Sequence, residues 1–299
     1  MDNRVSSLGQ GPGLAFKRNT SSFPPGSLAE LEEWTGKPSW HGELTFQQWN
    51  TVGWAITDDG TLCIRPWKGD AGETGPSGPS SSSSNAPWYD QRSNIKKVES
   101  IGTIVLNASS VYLFYGSNLT DLTGLAGWKV SNVTNTDAMF QHCRNLTDLT
   151  GLAGWDVPSV TKMTRMFANC RSLTDLTALK DWKVSNVTDM SIMFFGCSSL
   201  TDATALAYWN VSKVTSMRTM FYGCSKLQKI GIPSISNGGR KLVENAKNAN
   251  LTTVLPSIVS EDGSMGPYTW DGLKSAMTTN PSAFQEGTVW VRANEEAAQ

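Results

Sequence analysis

The chain has 299 residues, 39% apolar and 17% charged, with 25 Lys plus Arg against 26 Asp plus Glu and a net charge of −1. So even a balance, with both signs scattered, excludes the basic footprint that nucleic acid or an anionic membrane requires. No apolar run approaches the roughly 18 residues of a membrane span, and neither end reads as a signal peptide, hydrophobic anchor or sorting signal, so the expectation is a soluble chain without membrane insertion.

Residues 1–42 are polar and read as an N-terminal arm, with one helical candidate from Ser27 to Trp34. Residues 43–110 read as a β-rich N-terminal cap. Within it, the strand-like runs Trp54–Thr57 and Thr61–Arg65 flank Asp58-Asp59-Gly60, a hairpin signal because Gly adopts the positive φ of a tight turn. Residues 69–84 interrupt the cap as a collagen-like and Ser-rich loop, in which Gly69, Gly72, Gly75 and Gly78 head four Gly-x-y triplets. So few triplets cannot hold a triple helix unaided. They read as a flexible loop or as the seed of a trimer. Strand-like runs resume at Ile95–Val98 and Ile101–Leu106.

From residue 111 to 232 the chain repeats. Trp128, Trp155, Trp182 and Trp209 fall 27 residues apart, in step with Cys143, Cys170, Cys197 and Cys224 and with Leu146, Leu173, Leu200 and Leu227. A fixed period of this size predicts a solenoid, each unit burying its apolar side on its neighbours. Met163, Met166, Phe167 and Cys170 stand at i, i+3, i+4 and i+7, the spacing of a two-turn helix, with Thr161 at its N-cap as Thr134, Thr188 and Thr215 are in the other units. Leu146, Leu149 and Leu152 mark an extended arm, and Trp155 a corner. The fold class expected is therefore an α/β solenoid, a short leucine-rich repeat array of 27-residue coils with a β-rich N-terminal cap. Leu113–Leu119 is a shortened first unit lacking the cysteine. Residues 233–299 read as a C-terminal cap and tail, with a helix at Trp270–Met277 and a strand at Thr288–Arg292.

If successive units advance by one strand spacing, roughly 4.8 Å, the four repeat cysteines form a row about 14 Å long and cannot share one metal. Adjacent pairs could reach disulfide distance, but a column of small buried hydrophobes is the simpler reading.

The segment Trp182–Leu200, WKVSNVTDMSIMFFGCSSL, resembles the repeats of BspA-like leucine-rich repeat surface proteins, also described as a 26-residue bacterial surface-protein repeat. Trp54–Ile64 and Ala86–Val98 resemble the region that leads into such repeats, so the likeness covers about residues 50–232. It implies a non-enzymatic leucine-rich repeat protein, displayed on or secreted to the cell surface and linked to adhesion or host-protein binding. The Gly-x-y triplets resemble inserts of phage tail proteins, which implies a second reading as a virion-associated component.

No catalytic constellation, cofactor motif or metal set is legible. His41 and His142 lie far apart, and His142 holds a repeat position filled elsewhere by Asn169, Gly196 and Gly223. No phosphate loop, zinc motif or nucleophile elbow occurs. The recurring polar residues are more informative: Thr120, Thr147, Thr174 and Thr201, each followed by Asp121, Asp148, Asp175 and Asp202. A column of facing carboxylates costs stability unless something offsets it. Either each carboxylate accepts backbone N–H bonds that hold a turn, or the column faces outward and binds a basic partner or cations. These eight residues are the candidate binding face. The eight Asn-x-Ser/Thr sequons (Asn19, Asn107, Asn118, Asn132, Asn145, Asn186, Asn210 and Asn250) read as by-products of the repeat. Trp34, Trp40, Trp49, Trp54, Trp67 and Trp88 precede the array and read as core closure or as a glycan platform.

The functional expectation is a non-catalytic binding protein that recognises a protein or glycan on another surface, without nucleic acid, cofactor or membrane insertion. The alternative is a structural or receptor-binding component of a phage virion or appendage, a homo-oligomer trimerised near the Gly-x-y segment.

Overall fold

The computed structural model describes residues 47–49, 52–66, 86–100, 102–285 and 287–293. The arm at 1–42 with its helical candidate, the loop at 69–84, and Trp34, Trp40 and Trp67 lie outside the described residues.

Strands β1 (Gln47–Trp49), β2 (Val52–Ile56), β3 (Thr61–Pro66) and β4 (Lys97–Ser100) form a sheet in that order. β1, β2 and β3 pair antiparallel, and β4 joins β3 in parallel. The hairpin turns at Asp58-Asp59-Gly60 as expected: Gly60 has φ +90°, and a Cβ there would lie 2.3 Å from the Asn94 carbonyl. Asp59 closes the turn by accepting the Thr61 N–H at 3.1 Å. Trp54 and Trp88 are buried, their rings edge to face at 5.9 Å, and the Trp88 indole donates to the Leu113 carbonyl at 3.0 Å. For these two tryptophans the structure takes the core-closure reading. Among the described residues of the run expected at Ile101–Leu106, 102–106 form no strand, and Val105 makes a lone bridge to Lys129.

The expected α/β solenoid of leucine-rich coils is not found. Among the described residues the strands form two small mixed sheets and no α-helix precedes Gly239. The repeats are built from turns, short 3-10 segments and isolated parallel bridges.

The helix expected at Met163–Cys170 fails for a backbone reason. Arg165 and Asn169 have φ of +59° and +61°, in the left-handed region that a right-handed helix cannot include. The equivalent pairs in neighbouring repeats are Ala138 and His142, then Ile192 and Gly196. Backbone donors alternate as a result. Met166, Ala168 and Cys170 close three-residue turns onto Met163, Arg165 and Phe167. Arg165, Phe167 and Asn169 instead donate to Ser191, Met193 and Phe195 of the next repeat. Met163, Met166, Phe167 and Cys170 are all fully buried, so the apolar spacing reports burial correctly while the conformation differs.

The threonines expected as N-caps do other work. Thr134, Thr161, Thr188 and Thr215 donate their hydroxyls to the Ala108, Thr134, Thr161 and Thr188 carbonyls at 2.9–3.2 Å. The leucine arm is extended only locally: Thr123–Leu125, Thr150–Leu152 and Thr177–Leu179 are 3-10 turns.

Side chains link one repeat to the next. Trp155, Trp182 and Trp209 donate their indole N–H to the Leu125, Leu152 and Leu179 carbonyls at 2.8–3.0 Å. Cys143, Cys170, Cys197 and Cys224 point their thiols at the Phe114, Phe140, Phe167 and Phe194 carbonyls at 3.1–3.2 Å. All five cysteines are free and buried, and burial pushes the Cys143 and Cys224 thiols up to about 12. They are inert apolar groups, with neither a disulfide nor a thiolate. Phe114, Phe140, Phe167, Phe194 and Phe221 stack in a row with centroids 5.5–5.9 Å apart, each pair contributing about 1 kcal/mol beyond its buried area. In the first repeat Ser117 takes the cysteine's place, fully buried, and its hydroxyl finds no partner among the described residues.

The second sheet has the order β5-β6-β8-β7, from β5 (Asp202–Ala203), β6 (Lys229–Gly231), β7 (Ile258–Ser260) and β8 (Val289–Arg292). β5 and β6 are parallel; β8 runs antiparallel to both neighbours. Helices α1 (Gly239–Glu244), α2 (Leu251–Val254) and α3 (Trp270–Thr279) accompany it. The helix expected at Trp270–Met277 is α3, capped by Thr269 and buried through Trp270, Leu273 and Met277. The strand expected at Thr288–Arg292 is β8. Past the last repeat the Asn245–Asn250 segment takes over the pairing, accepting from Thr219 and Phe221 through the Asn248 and Ala249 carbonyls at 2.6 and 3.0 Å.

Position 165 separates the two conformations experimentally. Arg165→Gly removes a left-handed strain of about 1–2 kcal/mol, so urea denaturation should show a gain in stability of about 1 kcal/mol. In a helix the same change would cost about 1 kcal/mol. Arg165→Val should be destabilising.

Candidate functional site: two polar surfaces of the repeats

The Thr/Asp columns lie at the surface: Thr120, Thr147, Thr174 and Asp175 are exposed, and Thr201, Asp121, Asp148 and Asp202 half-buried. Each carboxylate has an assigned role. Oδ1 of Asp121, Asp148, Asp175 and Asp202 accepts the backbone N–H two residues on, from Thr123, Thr150, Thr177 and Thr204, at 2.7–3.1 Å. This is an Asx turn that opens each 3-10 segment. Thr147 and Thr201 donate their hydroxyls to the Thr120 and Thr174 carbonyls at 3.1 Å. Asp121 bridges to Asp148 and Asp175 to Asp202 in parallel. The turn-holding account explains these residues without a ligand.

A second polar column went unread in the sequence. Asn135, Lys162, Asp189 and Ser216 are linked one to the next by parallel bridges. Oδ1 of Asn135 and of Asp189 accepts the N–H of Asp137 and of Ser191 at 2.9 and 2.8 Å. Asp137 reaches across repeats to accept the Thr164 N–H at 2.8 Å, and burial raises its carboxyl above the ordinary range. The varied chemistry along this column hid its period.

The five turn segments at 112–118, 138–144, 165–171, 192–198 and 219–225 form a different kind of surface. They hold Arg144, Arg165 and Arg171, all exposed, and no Asp or Glu. The Thr/Asp segments at 120–127, 147–154, 174–181 and 201–208 carry Asp121, Asp148, Asp175, Asp181 and Asp202 against one basic residue, Lys180. Positive charge on the turn segments is confined to 138–144 and 165–171, the other three being uncharged, whereas all four Thr/Asp segments carry a carboxylate, in a chain of net charge −1.

The turn segments also hold surface aromatics. Tyr112 and Tyr222 are exposed. Tyr115 stacks on Tyr89 at 6.3 Å and meets Tyr112 and His142 edge-on at 5.5 and 5.3 Å. At the other end Phe195 and Tyr222 stack at 5.1 Å. Burial lowers the basicity of His142, aided by the positive charges of Arg144 and Arg171. These aromatics occupy the positions that vary from repeat to repeat, so a search for invariant columns passes over them.

Residues 108–234 match a family described as a Mycoplasma protein of unknown function, DUF285. The match takes in the four Trp-marked repeats and leaves out β1–β4, β7 and β8. No curated protein matches. Among solved structures, one likeness is to a leucine-rich cell surface protein from Faecalibacterium prausnitzii, at 18% identity and a TM-score of 0.29, over 66% of this chain and 58% of that one. Another is to a leucine-rich repeat protein from Eubacterium ventriosum, at 14% identity and a TM-score of 0.21, over 62% of this chain and 84% of that one. The chain thus spans 58% of the first structure's length. Likenesses this distant fix neither fold nor function, and the functional reading rests on the chain's own residues.

Asp148 tests the structural role of its column. Asp148→Ala should lower unfolding stability by about 1 kcal/mol, as loss of a turn-holding acceptor does. Asp148→Asn keeps an oxygen for Thr150 and removes one facing charge, so urea denaturation should place it within about 0.5 kcal/mol of the parent.

Proposed function

We propose that the chain is a non-catalytic binding protein, displayed on a surface, that recognises an acidic partner on another surface through the turn segments of its repeats. Adhesion is the role this implies. The observation that carries the reading is the division of charge: exposed arginines without a carboxylate on the turn segments, beside tyrosines that the interior does not use. Solvent-facing tyrosine and arginine are the residue types that anchor interfaces, combining large contact area with planar hydrogen-bond donors. The Thr/Asp columns are the weaker candidate, because their acceptors already hold turns. Surface display is supported by the resemblance of the Trp182–Leu200 repeat to BspA-like surface proteins.

The test uses the full-length chain and two acidic polymers, poly-glutamate and hyaluronate, immobilised at physiological salt. The chain should be retained on at least one. Arg165→Glu with Arg171→Glu should weaken retention about tenfold or more, since a reversed charge acts on encounter and affinity together. Lys129→Glu with Lys183→Glu, at exposed positions outside the turn segments, should leave it unchanged. Absence of retention on both polymers, or equal losses from the two pairs, overturns the proposal.

A further inference from the structure

Resting on that reading, we propose that the turn segments of the first three repeats form a binding site for an acidic polysaccharide, with Tyr112 and Tyr115 receiving a sugar ring and Arg144 and Arg171 its carboxylate. The site is assembled across repeats. Tyr112 and Tyr115 belong to the shortened first repeat, His142 and Arg144 to the second, and Arg171 to the third.

Three features suit a uronic-acid polymer. The aromatic rings present more than one orientation at the surface: Tyr112 stands at 80° to Tyr115, and Tyr115 at 80° to His142. A pyranose offers a flat face of weakly positive C–H bonds, which the negative face of a tyrosine ring attracts. Tyr112 is 39% exposed and therefore open to such a contact. Second, Arg144 and Arg171 hold equivalent positions in adjacent repeats, both exposed and absent from the ion pairs found among the described residues. A guanidinium fork matches a carboxylate through two parallel hydrogen bonds. Third, exposed Asn145 follows Arg144 in the chain, its amide 3.4 Å from that of Asn118. Amides of this kind both donate to and accept from hydroxyls. A polymer of acidic side chains alone would use the arginines but would leave the tyrosines without a ring to stack on, whereas a uronic-acid chain engages both.

Binding is measured with the full-length chain by biolayer interferometry on hyaluronate, on neutral dextran and on poly-glutamate. Hyaluronate should bind, and dextran should not. Poly-glutamate should bind at least about tenfold more weakly than hyaluronate, because it matches the charge without the ring. Tyr112→Ala and, separately, Arg144→Ala with Arg171→Ala should each weaken hyaluronate binding about tenfold without shifting the melting temperature. Should the double variant fail to fold, Arg144→Gln at its exposed position carries the same test. Poly-glutamate binding equal to hyaluronate binding, with Tyr112→Ala neutral, overturns the sugar site while leaving the acidic-partner reading intact. Binding to neither polymer overturns both.

Discussion

The repeats cohere because backbone carbonyls that close a turn within one repeat also accept a second hydrogen bond from a side chain of the next. A wall built of turns and single bridges lacks the continuous ladder of a regular sheet, so bonds between repeats count individually, at about 1 kcal/mol each. Two columns supply these added donors. The indoles of Trp155, Trp182 and Trp209 reach the leucine carbonyls of the preceding repeat, and the thiols of the four repeat cysteines reach its phenylalanine carbonyls. Both donors are large or polarisable and mostly apolar, so one side chain both fills the interior and closes a hydrogen bond. That double duty explains why Trp and Cys recur in step while surface residues drift.

Once the interior is closed in this way, the surface is free to vary, and it does so unevenly. The Asp side chains open each 3-10 segment and are tied to that task. The turn segments make their backbone bonds to the adjacent repeats, leaving the side chains at 112, 115, 144, 165, 171 and 222 without a structural duty common to every repeat. Tyrosine and arginine accumulate there. We propose recognition on this surface because it carries exposed side chains that the backbone bonds between repeats do not require.

Much of this was legible in the residues. The period, the buried columns and the hairpin at Asp58-Asp59-Gly60 follow from apolar spacing and one glycine, and the helix expected at Trp270–Met277 is found as α3. The helix expected at Met163–Cys170 was not there to be read. Burial at i, i+3, i+4 and i+7 is met equally by consecutive turns, and the left-handed residues that make the difference include Arg165, Ile192 and Thr219, where no glycine announces them. One cue was present: the column His142, Asn169, Gly196 and Gly223 moves towards the residues that tolerate positive φ. Turn-holding was one of two roles the residues left open for the Asp column, and the bonds from the Thr123, Thr150, Thr177 and Thr204 N–H groups support it. The aromatic turn surface was not legible, since periodicity draws attention to what repeats and this surface is made of what does not.

The central claim is that cross-repeat donors, beyond apolar burial, hold the repeats together. It is tested most directly by comparing Trp182→Phe with Trp54→Phe in urea denaturation. Both tryptophans are buried, and both substitutions lose the same volume; the Trp182 indole donates to Leu152 at 2.9 Å, whereas the Trp54 indole nitrogen has no partner among the described residues. Trp182→Phe should cost about 1 kcal/mol more than Trp54→Phe, the net worth of the lost second hydrogen bond to a carbonyl that keeps its turn bond from the Trp155 N–H. Equal losses at the two positions would contradict the account and leave packing alone as the force between repeats.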